Sequence, residues 1–515
     1  MPTHPLHLPE ILSHIAVHVP EASLSSCARV AKAWYHAFVP HIWKDISTDS
    51  SIPNHTMSSH SHLVKALHIQ FTLPEGLVTW RFPCLTALDI FYSGRARGLT
   101  EFISSHSTLT HLALRLFSIE PRSMFWQRLL ALHHLNSLMV LGLDITEEQE
   151  VDSFWQLCTR LERLDIGIHR LSSTGTLSSI KFPRIKRIYL NTLHDNTLPY
   201  MELIQRCPSL ITICLDGSLG KELISQFSQL VLARTWSGLE DVSLLSDSNY
   251  RIARDELSNI LQSLHRVIAL NLPNVEAAFG PRPMELIRPH FSYLRKLDFR
   301  NDCCLKSPMA QEILSSCPLL EEFGAFRMDA TDIAGGKPWV CMKMVSLSVS
   351  FRFGYGPTNV KLQPIVFDQL SRLTRLETLR LDDNPEGTFD SWLDDMDGKQ
   401  SLDLHLRRGL GKLSTLRSLS CLSLKNAHQS MGQQEVEWMV EHWTRLSQVH
   451  GTLHYRRDID MELRRLLNKI ASLSGSQPRE LRLASLHELG EGRMSQMTQG
   501  ILYWRFLSQA LAGEL

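Results

Sequence analysis

The chain has no uninterrupted apolar run of about eighteen residues, the least that a membrane-spanning helix requires, so no membrane span is expected in its 515 residues. Its start, Met-Pro-Thr-His-Pro, has neither the cationic opening nor the apolar stretch of a signal peptide, and the expected location is cytoplasm or nucleus. It has no excess of charge: 53 Lys and Arg balance 53 Asp and Glu. Dedicated binding to nucleic acid or to a membrane surface normally needs a basic surplus, and neither partner is expected. The ten cysteines include no CxxC pair, and the one adjacent pair, Cys303-Cys304, has no histidine at ligand spacing, so no metal site is expected. The sequence contains no GxxxxGK[ST], no GxSxG, no HExxH and no GxGxxG placed after a strand. No catalytic residue and no cofactor are assigned, and the 24 histidines are read as surface or packing residues. A composition of 43% hydrophobic and 21% charged residues is that of a folded protein.

What is abundant is one short phrase, repeated about sixteen times: an apolar residue, two others, an apolar residue, one other, an apolar residue. It begins loosely at Leu63 and Leu67. It then runs cleanly as Leu85-x-x-Leu88-x-Ile90, Leu109-x-x-Leu112-x-Leu114, Leu161-x-x-Leu164-x-Ile166, Leu294-x-x-Leu297-x-Phe299 and Leu419-x-x-Leu422-x-Leu424. The interval is mostly about 22 to 30 residues, the period of a leucine-rich repeat. The alternation at the end of each phrase suits a short strand with every second side chain inward. The residues between have helical spacing, as in Met201–Cys207 and Ala310–Cys317, and a following proline stops each helix. Cys158, Cys207 and Cys317 each lie three residues before the next apolar position, and read as small, reduced, packing residues. One helix and one strand per turn give an α/β solenoid: an irregular leucine-rich-repeat horseshoe, parallel strands on the concave face and helices on the convex face. Spacing beyond about 30 after the phrase opening at Met342, and again before Leu419, calls for longer loops.

Four regions are expected: a helical segment over 6–47, a polar linker over 48–60, the repeats over 61–487 and an amphipathic capping helix over 488–515. In the first, Pro9 suits a first helical turn. Ile11, Leu12, Ile15 and Val19 form one apolar stripe, and Leu24, Cys27, Val30 and Trp34 a second. About 40 residues bury too little surface to stand alone, so the segment needs a partner or the adjoining repeats. Leu8-Pro9, the Ile11/Leu12/Ile15 stripe, Leu24, Cys27, Val30-x-Lys32-x-Trp34 and Pro40-x-x-Trp43 together resemble an F-box. The resemblance covers only these N-terminal residues, and a single residue, Glu10, separates Pro9 from Ile11 where the family often has one more. It implies docking to the adaptor subunit of an SCF-type cullin-RING ubiquitin ligase through Leu8, Pro9, Ile11, Leu12, Ile15, Leu24, Val30 and Trp34. It also implies that the repeats hold a target protein and that the chain is itself no enzyme. The residues alone leave two alternatives open: the segment caps the first repeat, or the repeats form a protein-binding scaffold unrelated to ubiquitin.

Target-facing residues are expected at the non-core strand positions, among them Asp89, Arg115, Asp165, Tyr189, Asp298 and Arg380. Phe351-Arg352-Phe353-Gly354-Tyr355-Gly356 has the composition of a binding hot spot and equally of a buried loop anchor; Arg352 and Tyr355 are its candidates. The acidic stretch from Asp382 to Asp397 lacks the calcium-loop pattern and reads as a solvated loop.

Overall fold

A computed structural model describes residues 8–48, 54–70, 79–96, 98–119, 122–142, 144–145, 147–167, 170–171, 180–192, 198–217, 221–246, 252–272, 281–299, 305–354, 361–381, 401–425, 427 and 429–473. The chain divides into two units, Met1–His265 and Arg266–Leu515. Tyr355, the stretch from Asp382 to Asp397, Cys303-Cys304 and the expected cap over 488–515 lie outside the described residues.

In the first unit the repeats supply strands β1 (Asp45–Ser47), β2 (Ala66–Gln70), β3 (Ala87–Ala96), β4 (His111–Ile119), β5 (Ser137–Leu141), β6 (Asp144–Ile145), β7 (Arg163–Gly167), β8 (Arg170–Leu171), β9 (Arg187–Thr192), β10 (Thr212–Gly217) and β11 (Asp241–Ser246). All but β6 and β8, which pair with each other, form one parallel sheet in chain order. The second unit continues the pattern with β12 (Ala269–Asn271), β13 (Lys296–Phe299), β14 (Glu322–Asp329), β15 (Ser346–Arg352), β16 (Thr378–Arg380), β17 (Cys421–Leu424) and β18 (Gln448–Gly451), again parallel and in chain order.

The repeated phrase sets the register. Its second apolar position forms an unbroken row in the first unit: Leu67, Leu88, Leu112, Leu138, Leu164, Ile188, Ile213 and Val242 are Cα partners from strand to strand. In the second unit the row is Leu270, Leu297, Phe323, Leu347, Leu379, Leu422 and Val449. Every one of these side chains is buried. A one-residue slip would turn a whole strand's apolar set to solvent, and that cost fixes the alignment. Each unit is thus an α/β leucine-rich-repeat solenoid, its strands stacked with one face on the core and one face open.

Helices close the core face. Glu148–Cys158 buries Val151, Phe154, Trp155, Leu157 and Cys158, at the spacing that puts them on one side. Rings then link successive repeats: Trp126 to Phe154 at 5.1 Å between centroids, Phe154 to Trp155 at 4.8 Å, and Trp155 to Phe182 at 5.8 Å. Cys158, Cys207, Cys317 and Cys341 are free and buried, and burial raises each thiol's pKa. Such thiols pack; they do not attack. The buried amide oxygen of Asn191, near the end of β9, has no hydrogen-bond partner.

The N-terminal segment is three helices, α1 (Pro9–His18), α2 (Glu21–Ala28) and α3 (Lys32–Trp43). Leu12, Ala16, Leu24, Ala28, Ala37, Phe38 and Val39 form its own small core, against which Leu63 packs. Three sequence expectations need correcting here. Residues 45–47 are not helical: Ile46 pairs with Leu67 and adds the sheet's first strand, because its side chain extends the apolar row. Residues 54–60 are a helix, not a linker, held by buried Met57 and by His60 stacked on Trp43 at 4.5 Å. The first phrase is Val64-x-x-Leu67-x-Ile69, all three fully buried, since Leu63 turns toward the helices. In the second unit, too, the phrase before β15 opens at buried Met344, not at Met342, which is exposed.

Candidate interaction surfaces

Two surfaces follow from the fold. The first is the outside of the helical segment. Its fully buried residues all come from the three helices, with Leu63 packed against them, yet Leu8, Ile11, Val17, Val30 and Tyr35 stay exposed, Val17 and Val30 each at 64%. Pro9 is exposed beside them. The expected docking set therefore splits. Leu8, Pro9, Ile11 and Val30 face solvent; Ile15 and Trp34 are half-buried; Leu12 and Leu24 lie in the segment's own core. Trp34 stacks on Phe38 with centroids 5.2 Å apart, which places its ring at the edge of that core. Val17 and Tyr35 were missed in the sequence. The signal was available for Val17, which lies off the Ile11/Ile15 stripe and so has no inward neighbour.

The second surface is the open face of the strands, considered unit by unit. In the first unit its charges are paired with one another. His68 on β2 lies between two carboxylates, with Nε2 3.1 Å from Asp45 and Nδ1 3.5 Å from Asp89. Hydrogen bonds to Asp45 and then Asp89 push its pKa up to about 10 against the pull of burial. Asp89 also accepts a hydrogen bond from Arg115 at 3.1 Å, and the Arg115 guanidinium lies over the Phe91 ring, 5.7 Å from its centroid. A charge relay Asp45–His68–Asp89–Arg115 thus crosses four neighbouring strands. Further along, Arg163 grips Asp165 with its Nε and Nη2, the shortest contact 2.8 Å. Asp165 is buried between Met139 and Tyr189, its Cα partners, and burial raises its pKa more than Arg163 and Arg187 lower it. Tyr189 donates its hydroxyl hydrogen to Asp216. Of the expected target-facing residues here, Asp89, Arg115, Asp165 and Tyr189 all sit on the open face, and all four spend their polar groups on neighbours.

The second unit differs. Asp298, Arg380 and Arg352 lie on its open face, half-buried. Phe351 and Phe353, which flank Arg352, are buried and act as loop anchors. Arg327 on β14 joins the open face for a reason invisible in the sequence. Period-two alternation from Phe323 and Ala325 would turn it inward. A β-bulge between Ala325 and Arg327 adds one residue and brings Arg327 opposite Ser350. A separate polar cluster, His405 with Glu435 at 3.0 Å and with Ser430 at 3.2 Å, has a structural role: Glu435 also accepts the Gly432 and Leu406 amides.

Among the described residues no group of His, Cys, Asp and Glu is arranged to hold a metal ion, and no helix is long and apolar enough to cross a membrane.

No protein-family model matches the chain, and no curated protein matches its sequence. It is similar to several solved structures. One is a chain of the Rad7–Elc1 complex of yeast, with 12% identity over 94% of this chain and 93% of that one and a TM-score of 0.42. A second is a leucine-rich-repeat protein of Leptospira interrogans, with 13% identity, 89% and 99% covered, TM-score 0.32. A third is an internalin of Listeria monocytogenes, with 12% identity, 76% and 88% covered, TM-score 0.32. The strand register, independent of these likenesses, makes the chain a repeat scaffold of the kind that binds proteins.

Proposed function

We propose that the chain is a substrate receptor: its N-terminal helices dock the adaptor subunit of an SCF-type cullin-RING ubiquitin ligase, and its repeats hold the protein to be modified. The receptor does no chemistry; it raises the rate of transfer by holding target and transfer machinery together. One observation carries the reading. The three-helix segment buries its own small core and still presents Leu8, Pro9, Ile11 and Val30 to solvent. Large apolar side chains left outside the buried core of so short a segment support an interaction site there. Their order in the sequence is that of the F-box resemblance.

A second reading has its own support. Trp43 stacks on His60, Leu63 packs on the helical core and β1 pairs with β2, so the segment also caps the first repeat. For that reason deletion of residues 1–47 is a poor test: it removes β1 and strips the edge of β2. The better test is Leu8→Ser with Ile11→Ser, both exposed, in the full chain. Co-purification with recombinant adaptor is lost in this variant while its melting temperature stays that of the parent. Equal adaptor recovery from variant and parent sinks the docking reading and leaves the cap.

A further inference from the structure

On the second unit's open face, β14, β15 and β16 carry one arginine each: Arg327, Arg352 and Arg380. All three are half-buried. Among the described residues none has an ion pair within 4.0 Å, although many other described arginines do, among them Arg115, Arg163, Arg288 and Arg464. Among the described residues Arg327 has only the ring of its neighbour Phe326, 5.3 Å away. Asp329 is the Cα partner of Arg352, and no ion pair joins them. A guanidinium cannot shed its charge, and partly withdrawing it from water without an acceptor costs free energy. Three such costs on adjacent strands are the mark of a site whose acceptors come from outside.

The geometry points to a docking site for an acidic segment of a partner protein, bound through its side-chain carboxylates. The spread of the charges selects this ligand. Arg380 is level with Ser348, Arg327 with Ser350, and Arg352 lies two residues further along. Four residues along a strand cover about 13 Å, and two strand spacings about 9.5 Å. One compact anion cannot reach all three; a peptide with several acidic side chains lies across them. Ser348 and Ser350 are the small residues at the register positions opposite Arg380 and Arg327. Arginine forks match carboxylate oxygens two by two. The site names the target-side chemistry of the proposed receptor and rests on the repeats being its target-holding part, not on the adaptor.

The test is fluorescence anisotropy with a labelled peptide of alternating glutamate and serine, titrated with the full chain. Binding is expected to weaken as salt rises and to fall about tenfold or more in Arg327→Gln/Arg380→Gln. Arg295→Gln is the control. Arg295 belongs to the same unit but is already paired with Glu321 at 3.1 Å, so its loss leaves the peptide bound as before. Equal weakening in the control shows mere bulk attraction and overturns the site. Equal binding of a glutamine-for-glutamate peptide overturns it as well, and so does binding confined to a phosphoserine peptide. Adaptor recovery measured on the same proteins stays at the parent level, which keeps failure here distinct from failure of the docking reading.

Discussion

The two units are each built on the same kind of leucine row and differ in how the charges of their open faces are paired. In the first, Asp45, His68, Asp89 and Arg115 neutralise one another across four strands, and Arg163 and Asp165 do the same nearby. In the second, Lys296 on β13 pairs with Glu322 on β14 at 2.8 Å, but Arg327, Arg352 and Arg380, on three adjacent strands, have no ion pair among the described residues. A charge on an exposed strand face is therefore not by itself a binding residue. Pairing decides: a paired charge holds repeats in register, and an unpaired, half-buried one awaits a partner.

The comparison is broken first at the core, where the units should not differ. Leu164→Ala in one and Leu379→Ala in the other each remove a fully buried side chain from the same row. Each is expected to cost about 2–5 kcal/mol in denaturant unfolding. A large effect in one unit and none in the other would mean that the common register does not carry stability.

Next come the faces. Asp89→Ala leaves Arg115 without its carboxylate and His68 with one neighbour instead of two. The expected loss is about 1.5–3 kcal/mol, the worth of hydrogen bonds to charged groups. A loss below about 0.5 kcal/mol, the range of ordinary surface substitutions, would make the relay ornamental.

The relay also predicts a pH dependence. His68 holds its proton up to about pH 10 in the folded chain, against an ordinary value of 6.5. A raised folded pKa gives stabilisation that is complete below the unfolded value and fades as pH rises from there through the folded one. The loss is therefore spread between about pH 6.5 and pH 10 and is absent in His68→Gln. An imidazole NMR titration of His68 with a midpoint near neutrality would contradict the relay.

The smallest expected effect lies on the second face. Arg380→Ala gives up no ion pair among the described residues, and its cost is expected to stay within about 0.5 kcal/mol. A loss as large as that of Asp89→Ala would show that Arg380 serves the fold rather than a partner.

How much of this the sequence shows depends on the range of the forces involved. The leucine rows were legible because burial repeats with the chain's own period: Leu88, Leu112 and Leu164 announce the strands one by one. The identity of the open-face positions followed from alternation, and Asp89, Arg115, Asp165, Tyr189, Asp298 and Arg380 do lie there. Their availability did not follow. Arg163 reaches Asp165 along one strand, but His68 meets Asp45 and Asp89 only through register, about twenty residues away in either direction. Arg327 was hidden by a single bulge that alternation cannot foresee. At the N-terminus the apolar stripe was visible, but not that Leu12 and Leu24 turn into the helices' own core while Val17 and Tyr35 turn out.

The central claim is that separate surfaces of one chain hold adaptor and target. It is tested most directly by calorimetric titration of recombinant adaptor into Ile11→Ser/Val30→Ser and into Arg327→Gln/Arg380→Gln, with the acidic peptide titrated into both. The account predicts a crossover: the first variant loses adaptor and keeps peptide, and the second keeps adaptor and loses peptide. Adaptor binding that survives in the first variant, or fails in both alike, contradicts it.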